Sequence, residues 1–300
     1  MPRNKSGALI RAEYLAARML IGSLRRLPLP ATNVVARGAT HLLDLFVPKL
    51  RRVARKNLSF ALPELNPSEQ DRVISGVFRS IARMLVALAR FPSIDRANVS
   101  QWLAYEGLEN YLAAKKQGRG VLVATAHLGN WELSAFAHAL LTEPMNVMIR
   151  PLDNPFIDEL VERRRVLSGN KLIDKRDAAR SVLKALRNNE AVGILIDQNT
   201  SENEGVFVPF FNRLASASSG FVKLAHHSGA AVIPGFALWD AGLGRYTLRF
   251  DPVVEMTGDV MTDTARIHAI FEAIIRRYPD QWMWIHRRWK TRPPGEPPLY

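Results

Sequence analysis

The sequence predicts an α/β fold: a mostly parallel central sheet flanked by helices, preceded by a helical N-terminal region. The first observation is a set of short apolar runs after about residue 105: VLVATA (121–126), MNVMIR (145–150), AVGILID (191–197), AVIPGFAL (231–238) and YTLRF (246–250). Continuous runs of this length read as strands buried on both faces. The second is that amphipathic stretches at 131–141, 155–167, 176–188 and 217–228 separate most of them. Strand–helix alternation builds parallel sheets. The third is that residues 1–100 read as helix throughout.

The first helix is expected within ALIRAEYLAARMLIGSLRR, where Arg11, Arg18 and Arg25 recur every seven residues and form one narrow stripe. Leu9, Ile10, Tyr14, Leu15, Met19, Leu20, Ile21 and Leu24 cover most of the remaining surface. Such a helix packs on its own domain or lies in the interface of an anionic bilayer. It falls short of the roughly 20 uninterrupted apolar residues that span a membrane. Arg18 breaks the apolar stretch, and the A-A-R at 16–18 is a poor signal-peptidase site. Pro28, Pro30, Pro48 and Pro63 punctuate the next helices. A long helix then opens at Pro67, with Ser68 and Asp71 as a capping-box-like pair. A last helix at about 259–277 leads into a Pro-rich end, TRPPGEPPLY. The chain divides into a helical, basic, membrane-associating region (1–100) and an α/β domain (101–300), read as one continuous structural unit.

The chain carries a formal charge of +13. Residues 1–56 hold twelve Lys/Arg against Glu13 and Asp44, so ten of those thirteen charges sit in the first fifth of the chain. That asymmetry suits an anionic surface, and the tail is followed by no nucleic-acid-binding motif. With no cysteine, disulfides, thiol nucleophiles and thiolate metal sites are excluded.

Candidate chemistry lies in ATAHLGNWE (124–132). His127 directly follows an expected strand, Gly129 allows a tight turn, and Asn130 is a good N-cap for the helix holding Glu132. Ligands of open α/β sheets bind at the carboxyl ends of strands. Five residues apart across a strand-to-helix turn, His127 and Glu132 can meet as a general base and its orienting carboxylate. They can equally be a structural polar pair. Arg150, Asp197 and Gln198 end two further strands and can converge on the same place. The spacing lacks the H-E-x-x-H of a zinc site.

Five blocks, ATAHLGNWE, MIRPLDNP, GILIDQ, GVFVPFFNRLASASSGFVKLAHHSGAAVIPG and QWMWIHRRWK, occur in an order and at separations that resemble the bacterial lipid A late acyltransferases. That lauroyl/myristoyl transferase family includes phosphatidylinositol-mannoside acyltransferase relatives and belongs to the glycerolipid acyltransferase superfamily. The resemblance covers about residues 100–290. It implies a glycerolipid acyltransferase-like α/β fold and transfer of a fatty acyl chain from an acyl carrier protein thioester, or coenzyme A, to a hydroxyl of a membrane glycolipid. His127 is then the general base and Glu132 its partner. Arg150 serves the oxyanion or a substrate phosphate, helped at the oxyanion by backbone N–H groups of Gly129 and Asn130. Asp197 and Gln198 order the site. Val206, Phe207, Phe210 and Phe211 suit an acyl-chain wall or plain core. No metal or organic cofactor is implied.

The same resemblance implies the cytoplasmic face of a bacterial inner membrane, with peripheral or N-terminal attachment. The partners implied are acyl carrier protein, a glycolipid acceptor and the anionic membrane surface, with no specific nucleic acid. Glycerol-phosphate and lysophosphatidate acyltransferases usually carry H-x-x-x-x-D and a Pro-Glu-Gly-Thr-Arg block. This chain has Glu132 and no such block, so a lipid A precursor or related glycolipid is the expected acceptor. A phosphatidylinositol-mannoside or lysophospholipid acceptor is the alternative within the same chemistry. A catalytically idle membrane-binding protein on the same fold is the alternative of another class.

Overall fold

A computed structural model of the protein describes residues 6–174 and 178–300. Four helices open the chain: α1 (Gly7–Arg26), α2 (Leu29–Phe46), α3 (Pro48–Ala61) and α4 (Pro67–Arg90). Pro28 precedes α2, Pro48 is the first residue of α3, and Pro67 is the first of α4. Proline suits a first helical turn, where its missing N–H would have no partner. The capping box at α4 lies two residues earlier than the sequence reading placed it. Asn66 and Glu69 exchange side-chain-to-backbone bonds at 3.0 and 2.9 Å. Asp71 instead pairs with Arg51 and Arg55 of α3.

The α/β part then runs β1 (Leu103–Glu106), α5 (Leu108–Lys116), β2 (Val121–Thr125), α6 (Trp131–Leu141), β3 (Asn146–Ile149) and α7 (Pro155–Arg165). It continues with β4 (Lys171–Asp174), α8 (Ala178–Arg187), β5 (Ala191–Leu195), β6 (Gly205–Phe210), β7 (Arg213–Ser218) and α9 (Gly220–Ser228). β8 (Ala231–Asp240), β9 (Arg245–Phe250) and α10 (Val260–Arg277) complete it. The start expected for the helix at 176–188 falls partly outside the described residues. The helix expected at 217–228 begins at Gly220, because residues 217–218 belong to β7.

Seven strands form the main sheet in the order β1-β9-β8-β2-β5-β3-β4. From β8 to β4 every pairing is parallel; β9 runs antiparallel to β8, and β1 is parallel to β9. β6 and β7 make a separate antiparallel hairpin, closed at Phe211 and Asn212 with φ of 51° and 57°. Positive φ at both central residues is the mark of a tight two-residue hairpin turn.

β2 is buried along nearly its whole length, as a central parallel strand must be. Leu122 and Ala124 of this strand share one core with Ala54 and Leu58 of α3 and Ile74 of α4, so the N-terminal helices close over the sheet. The same core holds the fully buried rings of Phe210, Phe211, Trp282, Trp284 and Trp289.

Candidate active site

β2 and β5 are adjacent and parallel, with Thr125 opposite Leu195. Two residues further along each strand, the same register brings His127 level with Asp197. Ile196 N–H to Thr125 O, at 3.1 Å, carries the ladder up to that point. The result is a histidine and an aspartate side by side at the carboxyl end of the sheet, the usual position of ligand sites in such folds.

His127 Nδ1 lies 2.8 Å from Asp197 Oδ1, and the His127 backbone N–H donates to Asp197 Oδ2 at 3.0 Å. Trp282 Nε1–H donates to the same Oδ2 at 2.8 Å. Asp197 is 1% exposed. Burial pushes its carboxyl upward, but attraction to His127 and the three donors, the imidazole among them, outweigh it and hold the group down at about 2. An ionised acceptor at Nδ1 fixes the tautomer with its proton on Nδ1, leaving Nε2 as a lone-pair acceptor. Gln198 Nε2 sits 3.3 Å from His127 Nε2, and the Trp131 ring meets the imidazole edge-on at 5.0 Å.

Glu132 occupies the first turn of α6, but the partner expected there for His127 is supplied by Asp197. Glu132 gives both carboxylate oxygens to Arg165 at the end of α7, at 2.8 and 2.6 Å. Five residues of chain span the turn into α6 and turn Glu132 towards α7 rather than towards the imidazole. Arg165 was not legible as a site residue, because it lies in the run Arg163-Arg164-Arg165, which reads as a solvated helix end.

The turn itself differs from expectation in one respect. Gly129 N–H donates to Gln281 O at 3.0 Å and Asn130 N–H to Ala237 O at 2.9 Å. Both donors are engaged inside the protein, so they do not face a reacting oxygen. Gly129 is required for another reason: its φ is +65°, and a Cβ there would stand 2.0 Å from Ala237 O. Asn130 caps α6 as expected, accepting from Leu133 N–H at 3.0 Å.

Arg150 is exposed, one residue beyond β3, which lies next to β5. Phe210 and Phe211 are 0% exposed and pack among Trp282, Trp284 and Trp289, so they are core rather than acyl-chain wall. Val206 and Phe207, further back on β6, are half-buried.

The C-terminal segment 281–288 clasps the site, a role that sequence reasoning did not assign to it. Met283 N–H donates to His127 O at 3.1 Å, Leu128 and Trp282 form an isolated antiparallel bridge, and the Gln281 amide exchanges two bonds with the Trp239 backbone. Asn57 of α3 holds the clasp from outside, donating to Trp284 O and His286 O at 2.7 and 2.8 Å. His286 is pushed down to about 4 by burial, against the pull of nearby Asp197. Among the described residues no group of three or more His, Asp or Glu side chains is placed to hold a metal ion.

The geometry suits proton abstraction by a carboxylate-oriented imidazole, which is the chemistry of acyl transfer to a hydroxyl. Comparisons with known proteins point the same way. The family model described as "Bacterial lipid A biosynthesis acyltransferase" matches residues 6–291. The chain is 32% identical over 279 residues to a lipid A biosynthesis palmitoleoyltransferase of Escherichia coli K12, covering 92% of this chain and 90% of the relative. It is 29% identical over 301 residues to the lipid A biosynthesis lauroyltransferase of the same strain, covering 98% of both. Similarity to its lipid A biosynthesis myristoyltransferase is lower, 23% over 82% of this chain and 77% of the relative. The chain is therefore an acyltransferase and belongs to the bacterial lipid A biosynthesis acyltransferase family.

Proposed function

We propose that the protein transfers a fatty acyl chain from an acyl carrier protein thioester to a hydroxyl of a lipid A precursor, with His127 as general base. The observation that carries this is the His127–Asp197 pair, which engages Nδ1 and leaves Nε2, beside Gln198, as the nitrogen that can accept a proton. A lipid hydroxyl has a pKa far above neutrality and is a weak nucleophile unless its proton is removed as it attacks. In the proposed step, Nε2 takes that proton while the hydroxyl oxygen bonds to the thioester carbonyl carbon. The tetrahedral intermediate then collapses, the C–S bond breaks, and the imidazolium returns the proton to the departing sulfur. Asp197 holds the imidazole in the reactive tautomer and stabilises the imidazolium.

With the Gly129 and Asn130 N–H groups engaged, the side chains of Gln198 and Arg150 are the candidate donors for the oxyanion or a substrate phosphate. Glu132 and Arg165 tie the first turn of α6 to the end of α7, and through them keep the His127 turn in place. Val206 and Phe207 are candidates for contact with the acyl chain. Acyl-coenzyme A is the second donor class. The basic N-terminal region supports peripheral attachment to the inner membrane, where a lipid A precursor would be met. No described helix is long and apolar enough to cross a membrane.

The test is transfer of a radiolabelled acyl group from acyl carrier protein to a lipid A precursor by the wild type, with His127→Ala as control. Transfer by the wild type and its loss in the folded variant support the reading. Equal transfer by both would overturn the role of His127.

A further inference from the structure

Helix α2 is amphipathic the wrong way round for a helix in water. The face it packs on α4 is lined by Thr32, Ala36 and Thr40, which are 0, 0 and 3% exposed. The opposite face presents Val34, Leu42 and Leu45, which are 70, 52 and 63% exposed, and Phe46 at the helix end is 76% exposed. At 100° per residue, Val34, Leu42 and Leu45 fall on one arc, roughly diametrically opposite the buried threonines. Soluble helices bury the apolar stripe and expose the polar one. A helix that inverts the rule has an apolar medium on its outer side.

Two features select the medium. The arc is bordered by cations: Arg25 and Arg26 end α1, Arg37 sits on the flank of α2, and Lys49 and Arg52 follow it. A basic rim around an apolar face complements an anionic bilayer, whose headgroups meet the charges while the acyl region receives the side chains. α1 extends the surface with exposed Leu9, Leu15 and Met19. It is also tied to α7, through Asn154 Nδ2 donating to Ile10 O at 2.8 Å and the Tyr14 and Phe156 rings at 5.5 Å.

We infer that α2, rather than the arginine-striped α1 that the sequence favours, is the element that enters the acyl region of an anionic membrane. This rests on the proposed placement of the enzyme at a bilayer.

The absence of cysteine allows a clean test. Leu45→Cys, and as a control Lys116→Cys at the far end of α5, are each labelled with an environment-sensitive fluorophore on the full chain. They are mixed with phosphatidylcholine–phosphatidylglycerol vesicles containing an acyl-chain nitroxide lipid. The expected result is a blue shift and quenching at position 45 and neither at position 116. A vesicle-bound protein whose position 45 stays unquenched overturns the inference, as does a wild type that binds no vesicles. A second variant, Leu42→Glu/Leu45→Glu, should lower vesicle affinity at least about tenfold, with unchanged melting and unchanged transfer to detergent-dispersed acceptor. If instead lipid-free protein is a dimer that this variant splits, with vesicle affinity unaltered, the face is a self-association surface and the inference fails. Loss of transfer by the wild type in detergent would count against the proposed reaction and leave the vesicle result standing.

Discussion

Asp197 accepts three hydrogen bonds on its two oxygens, one of them from the imidazole, so small changes there separate orientation from charge. Asp197→Asn keeps the shape but no longer enforces the reactive tautomer. It should lower kcat at least about a hundredfold with little change in KM, in line with general-base losses. Trp282→Phe removes only one donor from Oδ2 and should lower kcat about tenfold or less. Steady-state kinetics on both variants check the ranking, and a larger loss at Trp282 would contradict it. Glu132 and Arg165 should behave as a unit: each alanine variant lowers transfer, and the double variant is no worse than the more damaging single one. A direct role for Glu132 at His127 would instead leave Arg165→Ala close to the wild-type rate. His127 and Asp197 were visible as strand-end polar residues, but their pairing was not. It depends on β2 lying beside β5 in register, which no local spacing reveals. The H-x-x-x-x-E spacing drew attention to the wrong carboxylate for Nδ1, since Glu132 is claimed by Arg165 from another helix.

At the scale of elements, the turn from β2 into α6 tolerates little. Gly129→Ala combines a left-handed φ with a Cβ 2.0 Å from Ala237 O. It should destabilise the protein by more than about 2 kcal/mol in urea unfolding. Asn66→Ala, which removes the cap of α4, should cost about 1 kcal/mol by the same measurement. The runs that became β2, β5 and β8 were legible because each is five or more residues of mostly apolar side chains, and β9 because its Tyr246, Leu248 and Phe250 alternate with polar residues. β1 (LAYE) and β4 (KLID) are four-residue strands of mixed polarity at the sheet edges, too short for periodicity to speak. Only the last two residues of β7 (RLASAS) fall in the expected helix start at 217; the strand is not legible because its small residues form no apolar run. Ser68 and Asp71 mimic a capping box, yet Asn66 is the better-placed acceptor and Asp71 is taken by two arginines.

Across the whole molecule, buried titrating groups should set the acid limit of stability. Burial holds His138, His268 and His286 down to about 4, against an ordinary histidine value of 6.5. Between those values the unfolded chain binds protons that the folded chain does not. Stability therefore rises with pH across that window and is lost as pH falls through it. At pH 5 unfolding should take up about 2.5 protons from these three groups, read from the pH dependence of urea unfolding. Asp197 acts further down: its contribution is present above the ordinary carboxylate range and disappears as pH falls towards about 2. The concentration of positive charge in residues 1–56 was readable from composition alone. The inverted exposure of α2 was not, because it depends on which face α4 covers.

The measurement that bears most directly on the central claim is acyl transfer from acyl carrier protein to a lipid A precursor, with wild type, His127→Ala and Asp197→Asn compared at equal folded concentration. Transfer by the wild type and a loss of at least about a hundredfold in both variants are expected. Wild-type transfer with Asp197→Asn undiminished would contradict the His127–Asp197 base.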